Sequence, residues 1–168
     1  LIRGGERVGL TGETLPPRRG ESQITKLANI LSQDETADYG TPETSGMLPH
    51  SRALFVSDFM GNIDAFETAL LKAADLGVRG VMLQILDPQE ETFPFNGRTI
   101  FQSMQGGLQH ETLQAGDLKT RYLERLAERK DRLTHLARTT GWQFHTHHTN
   151  APATSALLWL YQALARSV

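Results

Sequence analysis

Ser57 and Asp58 are the side chains best placed in the sequence to do chemistry. They follow an unbroken apolar run from Ala53 to Val56, and the segment 60–62 then breaks the pattern. An apolar run flanked by turn signals is typical of a strand that is covered on both faces in a parallel sheet. In such sheets, ligands bind at the carboxyl ends of the strands. A hydroxyl and a carboxylate at that edge could ligate a hard cation such as Mg²⁺, which prefers oxygen ligands.

The competing interpretation gives Asp58 a structural role. A carboxylate directly after a strand can accept hydrogen bonds from the backbone amides of the following turn. One carboxylate makes no metal site by itself, because hard cations take several oxygen ligands. Asn62 and Asp64 are close in the sequence, but both belong to the first turn of the helix that we predict next. The sequence leaves both interpretations of Asp58 open.

His145, His147 and His148 form a second group that could do chemistry. Alternation along a strand places His145 and His147 on one face, where two imidazoles could share a metal. The alternative is a polar edge strand with Trp142 and Thr146 interleaved. No Asp or Glu lies within ten residues of the cluster to complete or orient a metal site, and zinc sites usually draw three or four protein ligands.

Arg18 and Arg19 could bind a phosphate or an acidic partner, or they could be an ordinary solvated basic loop. The familiar catalytic motifs are missing from the sequence. It contains no glycine-rich phosphate-binding motif, no GxSxG and no HExxH. Nucleotide-binding, esterase and zinc-protease assignments therefore have no motif to support them.

The bulk composition is that of an ordinary globular domain. The 168 residues are 39% hydrophobic and 21% charged, which is enough for one domain with a core. The net charge of −2 argues against a protein that binds nucleic acid through bulk positive charge. The lack of cysteine excludes disulfides and thiolate sites, and it fits a reducing, cytoplasmic location. No apolar run approaches the ~20 residues of a membrane-spanning helix.

A βαβ unit is predicted to position Asp58. After the first strand, Asn62 caps a helix that ends at Gly77, and Val81–Leu86 forms a second buried strand. Strand, helix and strand within ~35 residues predict a right-handed crossover. Further strands are predicted at Glu6–Thr11, Thr14–Pro17, Thr99–Phe101, Leu108–Leu113 and Trp142–His147. Further helices are predicted with caps at Ser22, Asp117 and Asn150, the second of them ending at Gly141.

Five segments in a fixed order carry a resemblance to a known family. They are Gly5–Leu10, Pro16–Gly20, Val56–Phe59, Leu83–Glu90 and Phe93–Gly97. Together they resemble the bacterial family called domain of unknown function 58, whose members are similar to von Willebrand factor A domains. The resemblance covers nearly the whole chain, but only the later part of the family's domain.

The resemblance implies a three-layer, doubly wound α/β fold with a mostly parallel sheet of strand order 3-2-1-4-5-6. Strands two to six would be Glu6–Thr11, Thr14–Pro17, Ala53–Asp58, Val81–Leu86 and Trp142–His147. Strand one would precede Leu1, so we expect residues 1–168 to be a single, N-terminally incomplete domain. Buried strands cannot leave backbone groups unpaired. We therefore expect upstream residues, another chain, or direct pairing of strands two and four to close the gap.

The resemblance also implies a function. Strand one normally carries most of a metal-ion-dependent adhesion site, and Asp58 matches the aspartate after strand four. Asp58 would therefore hold Mg²⁺ only together with upstream residues. The implied function is a non-enzymatic protein-interaction module that partners a MoxR-type AAA+ ATPase in complex maturation. The candidate partner-binding residues are Ser57, Asp58, Arg18 and Arg19, and a homodimer is a further expectation.

Two alternatives to this function stay open. One is a metal-dependent hydrolase that uses Asp58 with His145 or His147, which requires these groups to lie within reach of each other. The other is a structural domain that has no active site.

Overall fold

A computed structural model describes residues 6–11, 15–33, 47–102 and 109–166 of the chain. Its main sheet has three parallel strands, in the order β1, β2, β5. A separate pair of antiparallel strands, β3 and β4, forms a hairpin. The elements are α1 (Glu21–Ser32), β1 (Arg52–Ser57), α2 (Ile63–Asp75), β2 (Arg79–Leu86), α3 (Pro88–Thr92), β3 (Thr99–Gln102), β4 (Gln109–Thr112), α4 (Lys119–Thr140), β5 (Gln143–His148) and α5 (Ala153–Arg166).

The predicted α/β class is confirmed, and the strands predicted as four, five and six lie side by side in that order. The predicted cap of α2 is also confirmed, because the Asn62 side chain accepts hydrogen bonds from the Asp64 and Ala65 amides at 3.0 and 3.2 Å. Gly141 ends α4 in the left-handed conformation, at a φ of 73°. None of the helices in the described ranges is long and apolar enough to cross a membrane.

Helices α2 and α4 cover one face of the sheet. The Phe55 ring stacks on Trp142 with a centroid distance of 5.3 Å and meets Phe66 edge-on at 5.6 Å. Leu70 and Leu133 are completely buried in the same cluster. These contacts form the larger core. They fix the direction in which the chain leaves the carboxyl end of β1.

Gly80 makes the close approach of β1 and β2 possible. A Cβ atom at this position would lie only 2.0 Å from the carbonyl oxygen of Ala53 and 2.9 Å from the Trp142 ring. Every other residue type would therefore push the two strands apart at the start of their pairing.

Helix α5 covers the opposite face. Ala156 and Leu160 pack on Val81 and Leu83 of the sheet. The cover does not extend over β1, where Leu54 and Val56 remain 44% and 56% exposed. Within the described residues, β1 pairs with β2 only, so its outer edge has no partner strand there.

The predicted strand Glu6–Thr11 is wrong. An isolated antiparallel bridge joins Val8 and Arg18 instead, with N–H···O distances of 3.0 and 3.3 Å. The side-chain amide of Gln23 donates to the carbonyls of Val8 and Pro16 at 2.9 and 3.3 Å. These side-chain hydrogen bonds connect the two segments where further backbone pairing between strands is missing among the described residues. Of the predicted strand 14–17, Thr14 lies outside the described residues, and the rest forms no strand.

Three predicted helix caps are also wrong. Asn150 stands three residues before Ala153, where α5 begins, so it does not occupy the cap position. Helix α1 begins at Glu21, two residues earlier than a cap at Ser22 would set it, and Gly20 at the cap position provides no side-chain cap. Asp117 lies inside a short 3-10 helix, Ala115–Leu118, and α4 begins after that helix, at Lys119. Asp117 therefore does not cap α4. The short helix α3 was not predicted. Asp87 caps it by accepting a hydrogen bond from the Gln89 amide at 2.8 Å. Pro88 stands in the first turn, where its missing N–H costs no hydrogen bond within the helix.

Candidate binding cleft

Asp58 follows the carboxyl end of β1, as the sequence predicts. Its Oδ1 accepts a hydrogen bond from the Met60 amide at 2.9 Å, and the Ser57 hydroxyl lies 3.4 Å from the same oxygen. The Ser57 hydroxyl accepts from the Phe59 amide at 3.0 Å. The structural role considered for Asp58 is therefore real, and the exposed carboxylate keeps its second oxygen for other contacts.

The residue after Asp58 holds a strained backbone. Phe59 has a φ of 56°, in the left-handed region of backbone conformation that residues other than glycine rarely adopt. Its ring is only 6% exposed and packs edge-on against Phe66 at 4.9 Å. Burial of the ring stabilises this conformation, so the turn presents Asp58 in a fixed position.

Gln84 ties the carboxyl ends of the three strands together. Its side chain is completely buried in the middle strand. The amide nitrogen donates to the Asp58 carbonyl at 3.0 Å, and the amide oxygen accepts from the Thr146 hydroxyl at 2.9 Å. A buried amide with both ends satisfied rigidifies its surroundings. Gln84 therefore fixes the backbone of Asp58 relative to β2 and β5.

An open cleft of about 590 Å³ lies beside Asp58. Its walls come from the turn after β1, from α3, from the hairpin segment and from α4. The lining residues are Asp58, Met60, Glu90, Phe93, Phe95, Phe101, Tyr122, Arg125, Leu126 and Arg129. This is the carboxyl edge of a parallel sheet, where α/β folds generally bind their ligands.

Four aromatic rings, which we call the aromatic wall, form one side of the cleft: Phe93, Phe95, Phe101 and Tyr122. Phe93 is at the centre, with centroid distances of 5.3, 6.0 and 5.0 Å to the other three rings in that order. Its backbone is left-handed, at a φ of 43°, and the side chain is 5% exposed. The wall holds the hairpin segment against α4.

Glu90 brings a second carboxylate to the cleft. It is partly buried, and it forms no ion pair with any described residue. Burial raises its pKa, a backbone hydrogen bond at Asp87 opposes that shift, and the charges of Asp58, Asp87 and Glu91 add to it. The pKa of Tyr122 is raised by burial and then by the charges of Glu90 and Asp58. The carboxylates of Asp58 and Glu90 therefore lie close enough for their charges to act on each other and on Tyr122.

Two arginines of α4 also line the cleft. Arg129 donates to the Gly61 carbonyl at 2.9 Å. Burial and the charge of Arg132 lower its pKa, while Asp64 and Asp58 act in the opposite direction. Arg125 is exposed, and it makes no hydrogen bond or ion pair with the part of the chain that the structure describes. Its exposed side chain therefore lies at the cleft without a partner among the described residues.

A second charged cluster lies at the same edge of the sheet, behind Glu90. The Glu91 carboxylate is 2.7 Å from Nε2 of His148 and pairs with the Lys130 ammonium. The hydrogen bond from Lys130 lowers the pKa of Glu91, burial opposes it, and His148 adds to the lowering. This cluster connects α3, α4 and the end of β5.

The structure does not bring His145 or His147 together with Asp58. Both histidines lie on β5, and β2 stands between β5 and the strand of Asp58. Two strand spacings separate their backbones by about 10 Å. The His145 ring stacks on Trp159 of α5 at 4.8 Å, and burial, followed by the charges of His147 and His148, lowers its pKa.

The described residues do not form a metal site by themselves. Within the described ranges, no group of three or more His, Asp or Glu side chains is arranged to hold a metal ion. Ser57 is engaged by the Phe59 amide. Mg²⁺ at Asp58 with upstream residues therefore remains a prediction. Arg18 and Arg19 are exposed and do not line the cleft.

Sequence reasoning found Asp58 and missed the rest of the cleft. The missed residues are Glu90, the aromatic wall, Arg125 and Arg129. A signal for Glu90 was present, because it follows the second parallel strand by four residues and so belongs to the same sheet edge as Asp58. No protein-family model, curated protein or solved structure matches the chain.

Proposed function

We propose that this chain is a non-enzymatic protein-interaction module that binds its partner in the cleft beside Asp58. One observation carries the proposal: the cleft at the sheet edge combines an aromatic wall with charged side chains that form no ion pair with the described residues. Tyr and Arg are the residue types enriched among the side chains that dominate binding energy in protein interfaces. Among the described residues, those that line the cleft include no histidine, serine or threonine.

A MoxR-type AAA+ ATPase is the partner that we propose, with a cytoplasmic role in complex maturation. This assignment rests on the resemblance to the family called domain of unknown function 58. The contribution of Mg²⁺ would come through Asp58 and upstream residues. Asp58 and Arg125 are the residues of this chain that we expect to contact the partner.

We further propose that the outer edge of β1 pairs with a second copy of the chain. The exposed Leu54 and Val56 lie along that strand. An apolar strand edge without a partner favours pairing with another chain.

Retention of a MoxR-type ATPase by the immobilised full-length protein, with and without Mg²⁺, tests the proposed function. We expect Asp58→Asn and Arg125→Glu each to lower the retained ATPase by about tenfold, the size of effect typical of a central interface residue. Arg121→Glu is the matched control, because this exposed arginine lies one turn away on α4 and does not line the cleft. Unchanged retention by both cleft variants, with native circular dichroism, would contradict the proposal.

A further inference from the structure

We propose that the cleft receives an arginine side chain of the partner, held between the carboxylates of Asp58 and Glu90 and the aromatic wall. The inference rests on the proposed function, because it names the chemical group of the partner that enters the cleft.

The first argument concerns unpaired negative charge. Neither Asp58 nor Glu90 forms an ion pair with any residue of the described ranges, although both line the cleft. Glu90 is partly buried, and the charges of Asp58 and of two further carboxylates, Asp87 and Glu91, act on it. A guanidinium between the two carboxylates would neutralise this charge, and planar guanidinium–carboxylate pairs are among the strongest hydrogen-bonded pairs in proteins.

The second argument comes from the aromatic wall. Aromatic faces attract cations, and they attract the planar guanidinium in particular, which can stack on a ring while its edge donates hydrogen bonds. Tyr122 and Phe95 line the same cleft as Glu90. The volume of about 590 Å³ is sufficient for a long side chain. Rings and carboxylates together therefore select a cation that also has a flat apolar face.

The resident arginines do not fill this position. Arg129 is held by the Gly61 carbonyl, and its neighbour Arg132 pairs with Asp64 and Glu67. Arg125 is exposed and could bind a carboxylate of the partner next to the incoming arginine. The cleft therefore suits a basic side chain flanked by an acidic one.

The test titrates the ¹⁵N-labelled protein with arginine capped as Nα-acetyl methylamide and follows the amide resonances by NMR. We expect saturable shifts at Met60, Glu90 and Tyr122. Citrulline with the same caps has nearly the same shape without the charge, and we expect it to bind at least tenfold more weakly. Capped glutamate should produce no shifts at these three amides.

Variants locate the binding site. Asp58→Asn and Glu90→Gln should each weaken the binding of capped arginine several-fold, and Tyr122→Leu should do the same through the wall. Glu124→Gln, an exposed position on α4 that does not line the cleft, is the control and should bind like the native protein. The dispersion of each spectrum shows whether the variant is folded.

Several results would overturn the inference. These are the lack of saturable shifts with capped arginine, equal binding of capped citrulline, or binding of capped glutamate in place of arginine. Such results would leave the proposed function standing if the native protein still retains the ATPase and Arg125→Glu still lowers that retention as expected above. Conversely, binding of capped arginine without ATPase retention would support the cleft assignment and remove the proposed partner.

Discussion

Glu90 and Glu91 are neighbours in the chain, but they lie in opposite electrostatic surroundings. Successive residues of a helix point about 100° apart, so the two side chains leave α3 in different directions. Glu91 meets Lys130 and His148, which lower its pKa. Glu90 faces the cleft, where burial and like charges raise its pKa. The pair therefore makes opposite contributions to stability at neutral pH.

Replacement of Glu91 by glutamine should destabilise the protein at neutral pH. Its folded-state pKa lies below the ordinary value of 4.5, so its stabilising contribution is present above pH 4.5 and is lost as the pH falls through the lowered pKa. Urea unfolding should show a lower free energy of unfolding for Glu91→Gln than for the native protein. This difference should shrink as the pH falls. We expect a modest gap, because the side chain is 35% exposed and solvent screens the pair. Glu128→Gln is the control, and a pH-independent gap would contradict the assignment.

Glu90→Gln should have the opposite effect. A raised pKa means that the folded protein favours the protonated carboxyl, a contribution that is present below pH 4.5 and is lost as the pH rises through the raised pKa. Glutamine resembles the protonated form. The free energy of unfolding of Glu90→Gln should therefore equal or exceed that of the native protein at neutral pH. The two free energies should become equal at acidic pH. A loss of stability at neutral pH would show that Glu90 has a cationic partner.

At the scale of elements, the local start signals of α1 and α2 look alike but act differently. Both helices have a polar residue where a cap would stand, Ser22 in one and Asn62 in the other. Of these two side chains, only that of Asn62 accepts hydrogen bonds from the backbone amides of the first helical turn. The backbone of α1 already enters the helix at Glu21, so Ser22 stands inside the helix.

Asn62→Ala should therefore lower the free energy of unfolding by about 1 kcal/mol, the usual contribution of a side-chain cap. The loss occurs because the Asp64 and Ala65 amides lose their acceptor. Ser22→Ala should stay within about 0.5 kcal/mol of the native protein, as for most surface changes. Urea unfolding measures both. Equal effects of the two substitutions would contradict the capping geometry.

The segment between β2 and α4 is an element in its own right. It contains α3, the hairpin and three of the four rings of the aromatic wall, and the Tyr122 ring attaches it to α4 at 5.0 Å from Phe93. Its aromatic cluster is separate from the two clusters that cover the sheet. The described residues of this segment therefore form a wall of the cleft and belong to neither of the two core clusters.

At the scale of the molecule, the two faces of the sheet are covered unequally. Among the described elements, α2 and α4 pack on one face, whereas α5 packs on the other and leaves Leu54 and Val56 of β1 exposed. An apolar strand at a sheet edge is a place where another chain can add. The proposed pairing of two copies through β1 would close that edge.

Val56→Lys tests this pairing. Sedimentation of the native protein should show an average mass that rises with concentration toward that of a dimer. The variant should remain a monomer over the same range, because Lys places like charges on the paired strands. Leu113→Lys, at an exposed position outside the sheet, is the control and should associate like the native protein. A native protein that is monomeric at every concentration would remove the proposed homodimer.

The sequence by itself determined the features that depend on neighbours along the chain. Unbroken apolar runs defined the strands β1 and β2, Asn62 and Gly141 marked helix ends, and the position of Asp58 followed from the end of its strand. The resemblance added the order of the three strands. These predictions succeed because hydrophobic periodicity and turn chemistry are local.

Only the tertiary structure decided which distant residues share a surface. Gln84 reaches Asp58 across 26 positions of sequence, and His148 reaches Glu91 across 57. The same packing separates His145 from Asp58 and assembles the aromatic wall. Such contacts depend on strand register and on the direction in which each side chain leaves its helix, and no local pattern in the sequence specifies these when considered alone.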